Sequence, residues 1–305
     1  MTTTSLRHNM YIYDDDGCLA ERVVPFLHDG LTSDEAVVAV VDQHAHDVLR
    51  ETLGTDAEHV VFLDRYAFYS RPETAIASLD RSLRELRLSG ADALRAYGEP
   101  PPRDTPAERR AWARYEAVVN AAFAHHPLWV MCGYDARTTS DEILDAAWST
   151  HAGVLTDDWR TNDRYENPAD FVRALASKPI ALPGLRMVPV GDGARAFRRT
   201  LLTEMAADHV PEAETQQLLI AASEVYANAG RHGGGVAQLR VGRDGARFVC
   251  EITDNGAGFD EPLAGYVPPS VDSTKGAGLW AARQNTRRLE LRPAATGGLS
   301  VQLWI

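Results

Sequence analysis

Three short stretches hold the residues best able to do chemistry. Glu224 and Asn228 stand four apart in Ser223-Glu-Val-Tyr-Ala-Asn-Ala-Gly-Arg-His232, a spacing that puts both on one face of a helix. An amide oxygen can ligate Mg2+, which takes one or two protein groups plus phosphate oxygens. A carboxylate beside it can orient or deprotonate an attacking hydroxyl. Asp254 ends an apolar run in Ile252-Thr-Asp-Asn-Gly-Ala-Gly-Phe259. There it could accept from the exocyclic amine of a purine, while Gly256 and Gly258 let the backbone pass close to a flat ring. In Lys275-Gly-Ala-Gly-Leu279, Gly276 and Gly278 precede a helix. Glycines at a helix start leave N–H groups open to phosphate oxygens. Alone, each stretch has an ordinary reading: a solvated helix face, a hairpin turn, a helix start. Together and in this order they point to a nucleotide.

The elements that must position these residues follow from periodicity. Helices are expected over Ala194–Asp208, Glu212–Gly230 and Leu279–Leu289, and strands over Leu185–Val190, Val236–Val241, Arg247–Thr253 and Leu299–Ile305. Helices grouped with hairpin-joined strands imply an α/β sandwich, its helices on one face of a mixed sheet. The first half alternates instead. Strands at Met10–Tyr13, Ala36–Val41, His59–Leu63, Ala93–Tyr97 and Leu128–Cys132 are separated by helices at Leu19–Leu27, Gln43–Leu53, Thr74–Leu88, Pro106–His125 and Ser140–Trp148. That is the pattern of a three-layer α/β domain with a parallel sheet. Prolines 179, 183 and 189 punctuate the change of character, which places the domains at 1–180 and 181–305.

With 305 residues, 45% of them hydrophobic, the chain can build two ordinary domains. A net charge of -12 argues against an extended nucleic-acid surface. Cys18, Cys132 and Cys250 form no CxxC pair, as expected of reduced thiols in a cytoplasmic protein. Neither a leader peptide nor a membrane span is expected. In the first domain, Cys132, Tyr134 and Asp135 lie at the carboxyl end of an expected strand, and Glu99 is placed the same way. Small molecules bind along that edge of open α/β sheets. Tyr115, Glu116 and His151 are plausible neighbours. Each has an ordinary alternative as a buried thiol, a loop residue or a core histidine. His44 with His46 and His125 with His126 point apart and read as surface.

The set "SEVYANAGRHGG", "ITDNGAGF" and "KGAGLW" resembles the N box and the two glycine boxes of the GHKL ATPase superfamily, the Bergerat fold, and within it the anti-sigma-factor serine kinases. The resemblance covers residues 185 to 305. It implies ATP and Mg2+ as cofactors, Asn228 as the Mg2+ ligand and Glu224 as the base for a protein hydroxyl. It implies Asp254 reading adenine, Gly256 and Gly258 shaping the base pocket, and Lys275, Gly276, Gly278 and Leu279 at the phosphates, with a mobile lid over Asp260–Lys275. The first half, through "HNMYIYDDDG", "YGEP", "CGYDART" and "STHAGVL", resembles the MEDS sensory domain over residues 8 to 165. This implies a RecA-like scaffold; no GxxxxGK[ST] follows the first strand, so its Walker A site is lost.

The resemblance implies a cytoplasmic anti-sigma factor and protein serine/threonine kinase, regulating transcription under stress. A sigma factor and an anti-anti-sigma protein are its implied partners, a small-molecule ligand would bind the sensor, and a homodimer is possible. Two departures count against the kinase. Leu299 stands where the family has a threonine that helps the adenine site, with Ser300 turned to the opposite face. The lid carries Pro262, Pro268 and Pro269. The alternative is an ATP-binding partner switch without catalysis. A sensor histidine kinase is a third reading, and it lacks a phospho-accepting histidine on a long helix ahead of the ATP domain. Control by the sensor requires a ligand that binds its two states unequally.

Overall fold

Alternating apolar runs and capped amphipathic segments build the first of two units, Met1–Leu175 and Ala176–Ile305, in a computed structural model. It describes residues 4–89, 91–175, 182–269, 276–294 and 297–305, without the side chains of 72–73 and 86–89. In the first unit strands β1 (Arg7–Tyr13), β2 (Ala36–Val41), β3 (Val61–Asp64), β4 (Leu94–Gly98), β5 (Leu128–Asp135), β6 (Gly153–Leu155) and β7 (Trp159–Thr161) form one sheet in the order β3-β2-β4-β5-β1-β6-β7. All pairs are parallel except β6 with β7. The parallel sheet expected from the alternation therefore carries one antiparallel edge strand, a common addition.

Helix α1 (Asp16–Thr32) is capped by Asp15 and α2 (Gln43–Leu53) by Asp42. The short α3 (Arg65–Phe68) and long α4 (Pro72–Ser89) follow β3. Helix α5 (Pro106–Ala122) opens with the capping box Thr105/Glu108 and Pro106 at its start. Helices α6 (Asp141–Thr150) and α7 (Pro168–Ala174) complete the unit. Leu19, Val23 and Leu27 of α1 and Leu49 of α2 pack on Tyr11, Val37, Ala39 and Met131. Those are alternate residues of their strands, so α1 and α2 cover one face. Side chains of the opposite parity, such as His8, Cys132 and Tyr134, meet α5 on the other face. A buried ion pair, Arg95 Nε to Glu35 at 2.6 Å, ties β4 to the start of β2.

The second unit pairs β8 (Arg186–Val188), β9 (Val236–Asp244), β10 (Arg247–Asp254), β11 (Arg288–Pro293) and β12 (Leu299–Trp304) in the order β11-β12-β10-β9-β8. Every pairing is antiparallel, which corrects the expectation of a mixed sheet. The cause is β11, where a helix was expected to run on to Leu289. Helix α10 (Ala277–Gln284) instead stops, because Asn285 Nδ2 and Thr286 Oγ1 bond back to Ala281 and Ala282 carbonyls, each at 2.9 Å. The alternating Arg-Leu-Glu-Leu-Arg-Pro run then forms an edge strand, where Pro293 is tolerated. Helices α8 (Gly193–Ala207) and α9 (Glu212–His232) lie on one face, through Phe197, Leu201, Met205, Leu218 and Val225 against Leu239, Cys250, Ile252 and Leu303. On the other face Leu182 and Leu185 cover Val249 and Trp304.

Candidate functional site

Helix α9 carries Glu212 and Glu214 in its first turn and Arg231 and His232 in its last, matching its dipole. Its buried stripe is Leu218, Ala221, Ala222, Val225 and Ala229. Glu224 and Asn228 are left half-buried on the flank that meets α10. A Cβ on Gly278 would stand 2.9 Å from Glu224 Oε2 and 3.3 and 3.5 Å from the two Asn228 amide atoms. The helix start that carries the second glycine pair thus abuts the carboxylate–amide pair. Asn228 Oδ1 accepts from Arg231 Nη2 at 3.0 Å, which occupies one lone pair of the oxygen expected at the metal.

Asp254 is the last residue of β10, and the register of β10 against β9 shifts between Thr253 and Asp254. Such a bulge re-aims a side chain beside a site. Asp254 Oδ1 accepts from the backbone N–H of Leu299 at 2.8 Å and of Gly256 at 3.0 Å. Oδ2 has no hydrogen bond among the described residues. Two glycines wall the carboxylate: a Cβ on Gly233 would collide with Oδ2, and one on Gly298 with the Asp254 carbonyl. The turn after α9 is locked to the same corner, since the Asn255 N–H donates to the Gly233 and Gly235 carbonyls at 2.9 and 3.1 Å. Gly258, at φ 95°, takes a conformation reserved for glycine. The cradle around Asp254, and an amide oxygen beside a carboxylate at a helix start, fit ATP with Mg2+.

Helix α10 follows Gly276, φ 82°, and has no side-chain cap among the described residues. Leu279 packs under the loop before it, where a Cβ on Gly265 would stand 2.8 Å from Leu279 atoms. Arg283, buried, donates to the Ala264 and Leu289 carbonyls at 3.2 and 3.0 Å and lies 3.5 Å from the Tyr266 ring centre. The first part of the expected lid is therefore pinned to α10. Lys275 and the rest of that segment, 270–275, lie outside the described residues. Arg231, Gly233, Gly298 and Arg283 were not among the expected site residues. The Gly233–Gly235 triplet was a visible signal; the partners of Arg283 were not.

The ligand candidates of the first unit fall into two groups. Glu99 and Asp135 line a cleft of about 270 Å3 with Tyr13 and Arg65, at the carboxyl edge of the sheet. Helices α1 and α6, which leave β1 and β5, pack on opposite faces, so this edge is a switch point where ligands bind. Tyr13 and Tyr97 hydroxyls donate to Glu99 Oε1 at 2.9 and 2.8 Å, and Arg65 reaches Oε2 at 3.2 Å. Burial raises the Glu99 carboxyl above its usual range, against the opposing pull of those partners. Cys132, Tyr134, Glu116 and His151 sit apart from the cleft, buried together with His8. Burial pushes the Cys132 thiol well up, helped by Glu116. It pushes His151 well down, helped by His8. Tyr115 belongs to neither group and packs on Tyr69 and Trp112. His44 is exposed, paired with Asp16 at 2.9 Å.

A helix bearing a carboxylate and an amide, a strand ending in a walled aspartate and a glycine helix start on one sheet define an ATP-binding, kinase-like ATPase domain. Residues 192–304 match the histidine kinase-like ATPase domain, and residues 7–152 match MEDS, the methanogen/methylotroph, DcmR sensory domain. The chain carries a MEDS sensory domain followed by a histidine kinase-like ATPase domain of the GHKL type. No curated protein matches it. Among the described residues no helix is long and apolar enough to cross a membrane.

Proposed function

We propose that the chain is an anti-sigma factor and protein serine/threonine kinase whose ATPase domain, with ATP and Mg2+, phosphorylates an anti-anti-sigma partner under control of the MEDS domain. The observation that carries this reading is the placing of Glu224 and Asn228 against Gly278. ATP supplies the phosphoryl group. Asn228 Oδ1 would turn from Arg231 to hold Mg2+, and Glu224 Oε2, on the same side, would take the proton of an incoming serine hydroxyl. The N–H groups at the start of α10 would donate to phosphate oxygens, and Asp254 Oδ2 would accept from the adenine amine.

The test is phosphoryl transfer from ATP to a candidate anti-anti-sigma protein by the full chain. Acid-stable, base-labile phosphate on a partner serine is the expected result. Leu299 in the threonine position favours a second reading, an ATP-gated docking module; ATP binding without transfer would establish it. Acid-labile phosphate on the chain itself would instead mark a histidine kinase.

A further inference from the structure

The buried group on the α5 face of the first unit has the build of a metal site. His8 on β1, Glu116 on α5, Cys132 on β5 and His151 at the end of α6 each bring one ligand atom to within 4.8 Å of the others. Their exposures are 2%, 1%, 6% and 0%. His8 Nε2 stands 3.3 Å from Glu116 Oε2 and 3.4 Å from Cys132 Sγ; Glu116 Oε2 stands 3.7 Å from His151 Nε2 and 4.0 Å from Cys132 Sγ. A tetrahedral ion with N and O ligands near ~2.1 Å and sulfur near ~2.3 Å has ligand–ligand edges of about 3.3–3.6 Å. Four of the six ligand–ligand distances, 3.3–4.0 Å, lie near that spacing before any ion is added, and all six are within 4.8 Å.

The surrounding hydrogen bonds aim the lone pairs inward. Asn120 spends both amide hydrogens on the Glu116 and Thr150 carbonyls, at 3.1 and 2.8 Å. Its Oδ1 is therefore left to face His8 Nδ1 at 3.2 Å, so Nδ1 carries the proton and Nε2 the lone pair. His151 Nδ1 meets the Ala147 carbonyl at 2.9 Å and must likewise donate. Its Nε2, fully buried, has no hydrogen-bond partner among the described residues, a costly state for a buried acceptor. The Tyr134 hydroxyl donates to Glu116 Oε1 at 3.0 Å. Ring N–H groups on carbonyl oxygens and a hydrogen-bonded carboxylate are the outer partners that orient metal ligands. A divalent ion would displace the Cys132 thiol proton on binding, and the thiolate and carboxylate it then meets cancel its charge.

We infer that His8, Glu116, Cys132 and His151 bind one divalent transition ion of the Zn2+ class. Sulfur with two imidazoles selects such an ion over Mg2+ or Ca2+. Four protein ligands leave no open position, so the ion ties β1, α5, β5 and α6 together rather than activating water. A cleft of about 530 Å3 is lined by His8 and its partner Asn120.

The test uses the full chain, stripped with a chelator and titrated with Zn2+ or Co2+. One equivalent should bind, and Co2+ should show tetrahedral d–d bands with a sulfur-to-cobalt charge-transfer band. Cys132→Ser, which keeps Cys18 and Cys250, should lose that band. Asn120→Ala should weaken Zn2+ binding about 10- to 100-fold while keeping the band shape. Substoichiometric uptake, or a charge-transfer band that survives Cys132→Ser, would overturn the site. Should Cys132→Ser fail to fold, the wild-type chain still decides. Its thermal midpoint should fall on stripping and recover with Zn2+ but not Mg2+; an unchanged midpoint would overturn the site.

Discussion

Asp254→Asn separates the framework role of this residue from the role toward the base proposed for it. The carbonyl oxygen of asparagine can keep both backbone bonds that Oδ1 now accepts, from Leu299 at 2.8 Å and Gly256 at 3.0 Å. The rotamer is held, because Gly233 and Gly298 wall the group on two sides. Replacing a charge-assisted acceptor by a neutral one costs about 1 kcal/mol per bond, so the ATPase domain loses only about 2 kcal/mol of stability. At the Oδ2 position an acceptor becomes an N–H donor, which would face the amine of adenine in the proposed site. One charge-assisted bond is lost and two donors are opposed, together about 2–4 kcal/mol. ATP should therefore bind roughly 30- to 1,000-fold more weakly. Inosine triphosphate, which offers a carbonyl at the same ring position, should gain on the variant. Calorimetric titration of both nucleotides on both proteins gives the ratio directly. Unchanged ATP affinity, or an ATP-to-ITP ratio that does not move, would refute the assignment.

Glu224→Gln should lower phosphoryl transfer to a partner serine by about 10²- to 10⁴-fold and leave ATP affinity within a few fold, as the rate and a binding titration will show. Glu35→Ala strands the Arg95 guanidinium, buried between Phe26 and Trp129; urea unfolding should show about 3–5 kcal/mol lost. Glu99, raised by burial above 4.5, holds its proton more tightly in the folded state than in the unfolded one. Its stabilising contribution is full below about pH 4.5 and is lost as pH rises through the folded value. Glu99→Gln should flatten the stability profile over that window, and equal slopes for the two proteins would disprove it.

What could be read in the sequence was set by how local its cause is. The runs Ala36–Val41 and Gln43–Leu53 are a strand and a helix at the limits expected, because an apolar run and an Asp42 cap define them within the segment. Glu224 and Asn228 share a face because four residues make about one helical turn. Strand β11 was missed, since its hydrophobic alternation directly follows a helical pattern and only two side-chain caps separate them. The three-residue strands β6 and β7 are too short for any periodicity to show. His8 was passed over for a different reason. Its partners Glu116, Cys132 and His151 lie more than a hundred residues away, and only the order of the parallel sheet brings them to it.

The exchange at position 299 shows how a departure in side chain can leave a site's framework intact. Leu299 replaces the threonine expected there, and Ser300 does point away, paired with Thr253 across β12 and β10. Yet the contact that fixes Asp254 at this position is the Leu299 backbone N–H, which any residue but proline supplies. Gly298 supplies the other requirement, the absence of a Cβ where the Asp254 carbonyl passes. The loss is thus confined to whatever a hydroxyl would have offered the base, at most one neutral hydrogen bond of about 0.5–1.5 kcal/mol. Leu299→Thr should strengthen ATP binding by no more than roughly tenfold. Gly298→Ala should weaken it far more, because the new methyl displaces the strand end that holds Asp254. If Leu299→Thr outweighed Gly298→Ala, side-chain chemistry rather than backbone geometry would govern the adenine corner.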